Sequence, residues 1–266
     1  MPNALTFDGT QGINVKNVTF RGFAGYGAHF LNGAAGNFLN NVRFENCGKS
    51  GVFLDGDVRN NSTEGLFVSG AGKHGIHLSG TNVRYNALEL TPVSVTNRLG
   101  LVEHCAEYGV LIENGATFNV VHPGTVTSNA MTGILVRGSN TTHNVIGRNS
   151  NVVPRLSDIT SNGGHGVHLM DGVQHTVLRY LAPAGNQGDG ILLEGPDCAF
   201  NQLDGIFTGI DYYAGNSQPR LPNTGNGIHL RSGAHHNLLG SRTPGGFGER
   251  GAIVGNLGAG ILLEGT

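Results

Sequence analysis

Tryptophan is absent from the 266 residues, only 13% are charged, and the three lysines all precede residue 74. The formal net charge is −2, so there is neither a basic patch to attract nucleic acid nor an acidic block to act as a solvating tail. No apolar run is long enough to span a membrane. The opening residues, MPNALTFDGTQGINV, lack the basic and apolar regions of a signal peptide. As written, the chain is therefore expected in the cytoplasm, unless it is a piece of a longer exported protein. The end, GILLEGT, stops directly after a strand-like run, which fits the second case.

What is abundant is glycine, at 45 residues without a Gly-X-Y period, which excludes collagen. Recurring short Val/Ile/Leu runs and the low net charge exclude disorder. One hexapeptide, GILLEG, stands at both 190–195 and 260–265. It belongs to a frame of glycine, aliphatic, any residue, aliphatic. The frame opens at Gly27, Gly51, Gly75, Gly109, Gly133, Gly166, Gly190, Gly227 and Gly260, at intervals of 24, 24, 34, 24, 33, 24, 37 and 33 residues. A unit of 24 with occasional additions is the period of a solenoid.

Asparagine keeps the same register. Asn37, Asn61, Asn86, Asn119, Asn144, Asn201 and Asn237 follow the glycines by ten or eleven residues, with His175 as the exception. Asn129, Asn162, Asn186, Asn223 and Asn256 precede them by four. Asn and Gly tolerate tight bends, and the apolar runs between them are short and rich in Val, Ile and Leu. Each unit reads as about three short strands joined by Asn/Gly corners, and one unit alone has no face to bury against. At ~4.8 Å per rung, about ten coils would stack into a rod roughly 45–50 Å long. The expected fold is all-β, a single-stranded right-handed parallel β-helix of about ten coils, with 1–266 as a single domain. A sandwich fits less well, because its hairpins would need Asn-Gly turns between alternating strands.

Three stretches carry a family resemblance: NVIGRNSNVVPRLSDITSNGGHGVHL (144–169), NQLDGIFTGIDYYAGNSQPRLPNTGNGIHL (201–230) and NLLGSRTPGGFGERGAIVGNLGAGILL (237–263). The chain resembles the right-handed parallel β-helix repeat proteins of the pectate-lyase-like superfamily, and among them the Gly/Asn-rich repeat regions of bacterial extracellular and surface proteins. Phe207 and Arg148 depart from the usual Ile and Gly. The resemblance implies the fold and an extracellular or cell-surface parent protein. It implies little about activity, because one scaffold hosts many functions.

The register also decides weaker motifs. Cys47 and Cys105 occupy the corner slot that Asn fills elsewhere, with the Ala71 rung between them. A separation of about 9–10 Å is beyond a disulfide's reach, and Cys198 belongs to another corner, so three free thiols are expected. The GxGxxG in SGAGKHG (69–75) is followed by strand and turn, not a helix, so it is no dinucleotide loop. GNQGDGILL and GNLGAGILL lack the tandem nine-residue period of a calcium roll. No metal and no cofactor is expected.

The outward strand position carries His29, Phe53, His77, Leu111, Leu135, His168, Leu192, His229 and Leu262. This apolar and imidazole stripe is a candidate contact surface, unless the longer coils fold over it. Two positions further on, Glu113–Arg137 and Glu194–Arg231–Glu264 alternate in sign, as a stacked sheet requires. The residues before the glycines bring His165 and Asp189 onto adjacent rungs, with His168 and Asp171 nearby; His74 and Tyr108 form a second candidate acid–base pair. The strings typical of the superfamily's pectin hydrolases and alginate epimerases are absent. The favoured expectation is a non-catalytic extracellular segment for display, adhesion or polysaccharide contact. The alternative is a polysaccharide lyase, glycoside hydrolase or epimerase with a shallow groove. The expected partners are a polysaccharide or another protein, and an uncapped solenoid is also expected to associate end to end.

Overall fold

The computed structural model describes residues 1–90, 100–147, 156–210, 220–240 and 251–265. The family-like inserts at 148–155, 211–219 and 241–250 lie outside those residues. Every described strand pairing longer than a single bridge is parallel, and each joins one coil to the next. The glycine-led strands form a ten-stranded sheet running from Leu5–Asp8 to Ile261–Leu263. Its first member has Ala4 where the later strands have glycine, so there is one coil more than the glycine frame counts. The chain is a parallel β-helix.

The other two sides are joined into one fourteen-stranded sheet because Phe38–Glu45 runs round a corner. Its first part pairs with Ser62–Glu64 and its second with Phe67–Ser69. Asn41 makes the bend at φ 51°, a conformation Asn tolerates better than most residues. Each coil thus visits three faces, and alternation sends every second side chain inward. Ile76 and Leu78, Val110 and Ile112, Ile191 and Leu193 are fully buried in the shared interior. Burial of each such side chain contributes roughly 1.5–3 kcal/mol.

The repeated glycine has a steric cause. A Cβ on Gly190 would lie 2.6 Å from the carbonyl oxygen of Gly227, and one on Gly166 would lie 2.6 Å from that of Gly190. Backbone of adjacent coils passes too close for any side chain there. GILLEG recurs because both copies hold this place: Ile191 pairs with Ile228, and Ile228 with Ile261.

The asparagines are structural ladders. Asn162 accepts from the Asn129 amide at 2.9 Å and donates to Asn186 at 3.0 Å, while Asn186 donates to Asn223 at 2.9 Å. The other ladder runs through Asn37, Asn61, Asn86, Asn119 and Asn144. Where His175 was the expected exception, the slot belongs to Thr176: its backbone N–H donates to Asn201 at 2.9 Å. Cys105 occupies the start of the corner ladder, its N–H bonded to Asn129 at 3.1 Å. All three cysteines are free and buried. Among the described residues no helix is long and apolar enough to cross a membrane.

Candidate functional site

The outer side of the ten-stranded sheet carries three parallel columns of side chains: the residue before each glycine, the stripe, and the charged position beyond it. The stripe stacks in the expected register, His29 against Phe53, Phe53 against His77, His168 against Leu192, Leu192 against His229. Its leucines are covered. Leu111, Leu135 and Leu192 are only 2, 3 and 0% exposed. The described contacts over the stripe come from the flanking columns: Tyr26 lies 5.0 Å from Phe53, His74 4.9 Å from His77, and His165 5.2 Å from His168. Whether the inserts also cover it lies outside the described residues. The leucines are a floor, His74, Glu113, Asp189 and His229 are buried beside them, and His165 and Glu194 are partly accessible.

On that floor one arrangement occurs twice. His77 Nε2 lies 2.9 Å from Glu113 Oε1, and Arg137 Nε donates to Glu113 Oε2 at 2.7 Å. His168 Nε2 lies 3.1 Å from Glu194 Oε2, and Arg231 Nε donates to Glu194 Oε1 at 3.0 Å. The three members sit on three successive rungs in both cases. A carboxylate only accepts, so each bond places the proton on Nε2 and leaves Nδ1 as the basic nitrogen. Burial, opposed by Glu113, holds the His77 pKa below its ordinary value. Burial and then His165 push His168 down to about 4. Both rings are neutral near pH 7. Burial alone would raise the Glu113 carboxyl, but hydrogen bonds from Arg137 and His77 outweigh it and keep it ionised.

His165 has the same tautomer, but its other nitrogen is the one engaged. The Asp189 backbone N–H donates to its Nδ1 at 2.9 Å, so the proton of the neutral ring is on Nε2. The Asp189 carboxylate does not orient this ring as expected; Oδ2 is 3.5 Å from Nδ1, beyond a short hydrogen bond. Asp189 turns to the next coil, accepting the Asn226 backbone N–H at 2.6 Å, its side-chain amide at 2.8 Å, and facing His229 Nδ1 at 3.2 Å. Burial would raise its carboxyl, yet the bonds from Asn226 and His229 keep it below the usual range. His229 in turn reaches Glu264 through Nε2 at 3.1 Å, so Glu264 serves an imidazole and the alternating charge column ends at Glu194–Arg231.

The other candidates separate. Asp171 follows the strand Val167–Met170 whereas His165 precedes it, so Asp171 lies at the far edge of the sheet, lining an open cleft with Glu113, Arg137 and Asn140. His74 and Tyr108 meet face to face, with centroids 5.5 Å apart and planes inclined by 21°. That is a stack, not a proton-transfer pair. Burial and then His77 push His74 down to about 4. Its Nδ1 is 3.4 Å from Glu107 Oε2 but lacks the alignment of a hydrogen bond.

One feature escaped the repeat reading. The residue preceding each position of the ladder that begins at Asn37 has positive φ, and in six successive coils it carries a ring: Tyr85, Phe118, His143, His175 (before Thr176), Phe200 and His236. These rings stack along a corner of the rod. A column of aromatic residues one place before Asn was the available signal.

A parallel coil with asparagine ladders and polar columns on one face defines a class, the laddered β-helices. The chain belongs to the right-handed β-helix family, whose model, described as a right-handed β-helix region, matches residues 3–151. No curated protein matches it in sequence. Among solved structures it is similar to the catalytic domain of a GH87 α-1,3-glucanase in complex with nigerose, with a TM-score of 0.55 and 12% identity over 94% of this chain and 50% of that one. A variant of that domain with bound tetrasaccharides gives 0.55 at 10% identity, again over 94% and 50%. The A-module of the Azotobacter vinelandii mannuronan C-5 epimerase AlgE6 gives 0.52 at 12%, covering 97% of this chain and 75% of that one. The chain spans about half the length of the glucanase domains. Such low identity establishes a shared fold.

Proposed function

We propose that this chain is the β-helical body of a carbohydrate-active enzyme, acting on a polysaccharide laid along the outer side of its glycine-led sheet. The observation that carries the reading is a pair of neighbouring imidazoles with the same Nε2–H tautomer but opposite ring nitrogens engaged. His168 keeps Nε2–H on Glu194 and offers Nδ1 as a base, while His165, with its ring centroid 5.2 Å away, offers Nε2–H as a donor. A base and a donor side by side suit proton abstraction beside a carbonyl-type group, the step common to lyases and epimerases. Glu194, fixed by Arg231, orients the base; Asp189 supplies a buried negative charge next to the donor. A glucanase domain and an epimerase module are among the structural neighbours, and carbohydrate chemistry on a similar scaffold supports the reading by analogy. The parent protein would be exported, since polysaccharides of this kind lie outside cells.

A second reading, a non-catalytic segment for display or adhesion, is favoured by the duplication. The same His–Glu–Arg relay at His77 and His168 is what a structural column produces. Incubation with a panel of uronic-acid and neutral glycans separates the two. The enzyme reading expects unsaturated ends, reducing ends or C5 inversion with at least one glycan, lost in both His168→Ala and His165→Ala. Binding without any chemical change in any glycan would sink it and favour display.

A further inference from the structure

The ringed corner lies away from the imidazole floor, and nothing in the chemistry above uses it. Tyr85, Phe118 and Phe200 are 54, 45 and 49% exposed. Each also sits in the left-handed region, at φ 58°, 55° and 59°. Large rings are poor choices for that conformation, and in earlier coils the same column holds Gly36 and Asn60, which adopt it readily. Six coils in succession thus carry a ring where a small residue would fold more easily.

The stack determines what it can offer. Tyr85 and Phe118 have centroids 5.4 Å apart at 20°, Phe118 and His143 4.8 Å at 24°, and His143 and His175 4.8 Å at 25°. Ring faces are therefore covered by ring faces, and solvent meets ring edges. Edges are the positive rim of the aromatic quadrupole, and imidazole edges add N–H donors. An apolar partner would need the faces. An oxygen-rich partner fits the edges.

The adjoining column makes the preference anionic. Its members are Arg59, Arg84, Thr117, Thr142 and Gln174, each one residue before the ring or bend. Arg59 and Arg84 are direct partners on neighbouring rungs. Like charges in that position are unfavourable unless something neutralises them. Among the described residues neither arginine forms an ion pair with a carboxylate, and Arg84 Nε is buried without a hydrogen-bond partner. The Arg84 guanidinium is 5.8 Å from the Tyr85 ring, so the charge opens directly onto the stack. The hydroxyls and amide further along supply neutral donors and acceptors at the same rung spacing, close to one sugar unit.

We propose that this corner binds an acidic polysaccharide strand parallel to the rod axis, with a carboxylate on the Arg59–Arg84 pair and sugar oxygens along the ring edges. The proposal shares with the functional reading only the partner class; it needs no catalysis on the sheet.

The test is calorimetric titration with a linear oligogalacturonate long enough to cross the six coils. Controls are a neutral gluco-oligosaccharide of equal length and polyglutamate. Two variants are compared, Arg59→Gln/Arg84→Gln and Phe118→Asn/His143→Asn/His175→Asn. Asn accepts the left-handed backbone, so the triple variant should keep its thermal midpoint. Expected is binding of the oligouronate that each variant weakens roughly tenfold or more, with the neutral chain at least tenfold weaker than the uronate. Unaltered binding in both variants, equal affinity for polyglutamate, or no oligouronate binding would each overturn the assignment. Binding lost in His165→Ala/His168→Ala but kept in the corner variants would move the glycan to the sheet and leave only the catalytic reading standing. Corner binding without any glycan turnover would do the reverse.

Discussion

The backbone N–H of Asp189 points at Nδ1 of His165 from 2.9 Å, and so a main-chain group fixes that ring's tautomer. Nitrogen-detected NMR should find the proton on Nε2 of His165 and should find the same in Asp189→Asn, since the donor is the peptide. A switch to the Nδ1–H form in that variant would mean that the carboxylate, at 3.5 Å, governs the ring after all.

Stability should decline as pH falls through the mildly acidic range. His74 and His168 have their pKa lowered from 6.5 to about 4, chiefly by burial, so the unfolded chain binds protons in that window while the folded one does not. The contribution is fully present above pH 6.5 and is lost as the pH drops towards 4. Asp189 and Glu113, whose pKa values are depressed, add a further loss only at lower pH, as they protonate in the folded state. Thermal midpoints measured across this range should slope downwards, less steeply in His74→Phe/His168→Leu. A flat profile would contradict the buried neutral imidazoles.

Two substitutions probe how the coils are held. Asn162→Ala leaves the Asn129 amide and the Val126 carbonyl without their partners inside the corner ladder, and should cost about 3 kcal/mol in urea unfolding. Gly190→Ala forces a methyl against the Gly227 carbonyl and should destabilise by about 2 kcal/mol or more. Gly195→Ala meets no atom within 4 Å and pays only for φ +104°. Gly195→Ala proving the worse of the two glycine changes would show that close backbone approach is not what the repeat preserves.

The thiols should be silent in the native protein. Burial pushes Cys47 up to about 11 and Cys105 and Cys198 up to about 12, so hardly any thiolate exists at neutral pH. Ellman's reagent should label none of the three before denaturant is added and all of them afterwards. Prompt labelling of Cys105 would show that its corner opens.

Much of this architecture was legible because a solenoid converts sequence spacing into spatial neighbourhood. Once Gly190 and Gly227 share a register, His168, Leu192 and His229 must stack, and they do. The same rule predicted the unpaired cysteines. It could not tell which nitrogen of His165 carries a proton, because that depends on the angle of one peptide at Asp189. Nor could it reveal that Tyr108 meets His74 face to face, or which side chains cover the stripe's leucines. Those outcomes depend on rotamers and on side chains leaning across columns. The aromatic corner was hidden for another reason: the recurring Asn marks the ladder, while the residue before it changes from Gly36 and Asn60 to rings.

The hydrogen bonds between coils run from each rung to the next, so the unit of change along this rod is a whole coil. Removing 24 residues between equivalent glycines, such as those from Gly166 up to Gly190, would join like to like in every column. Removing twelve would leave the glycines facing side chains and the ladder amides facing carbonless space. Length in such a molecule can therefore be edited only in quanta, and the reach of anything lying along it grows or shrinks by the same steps.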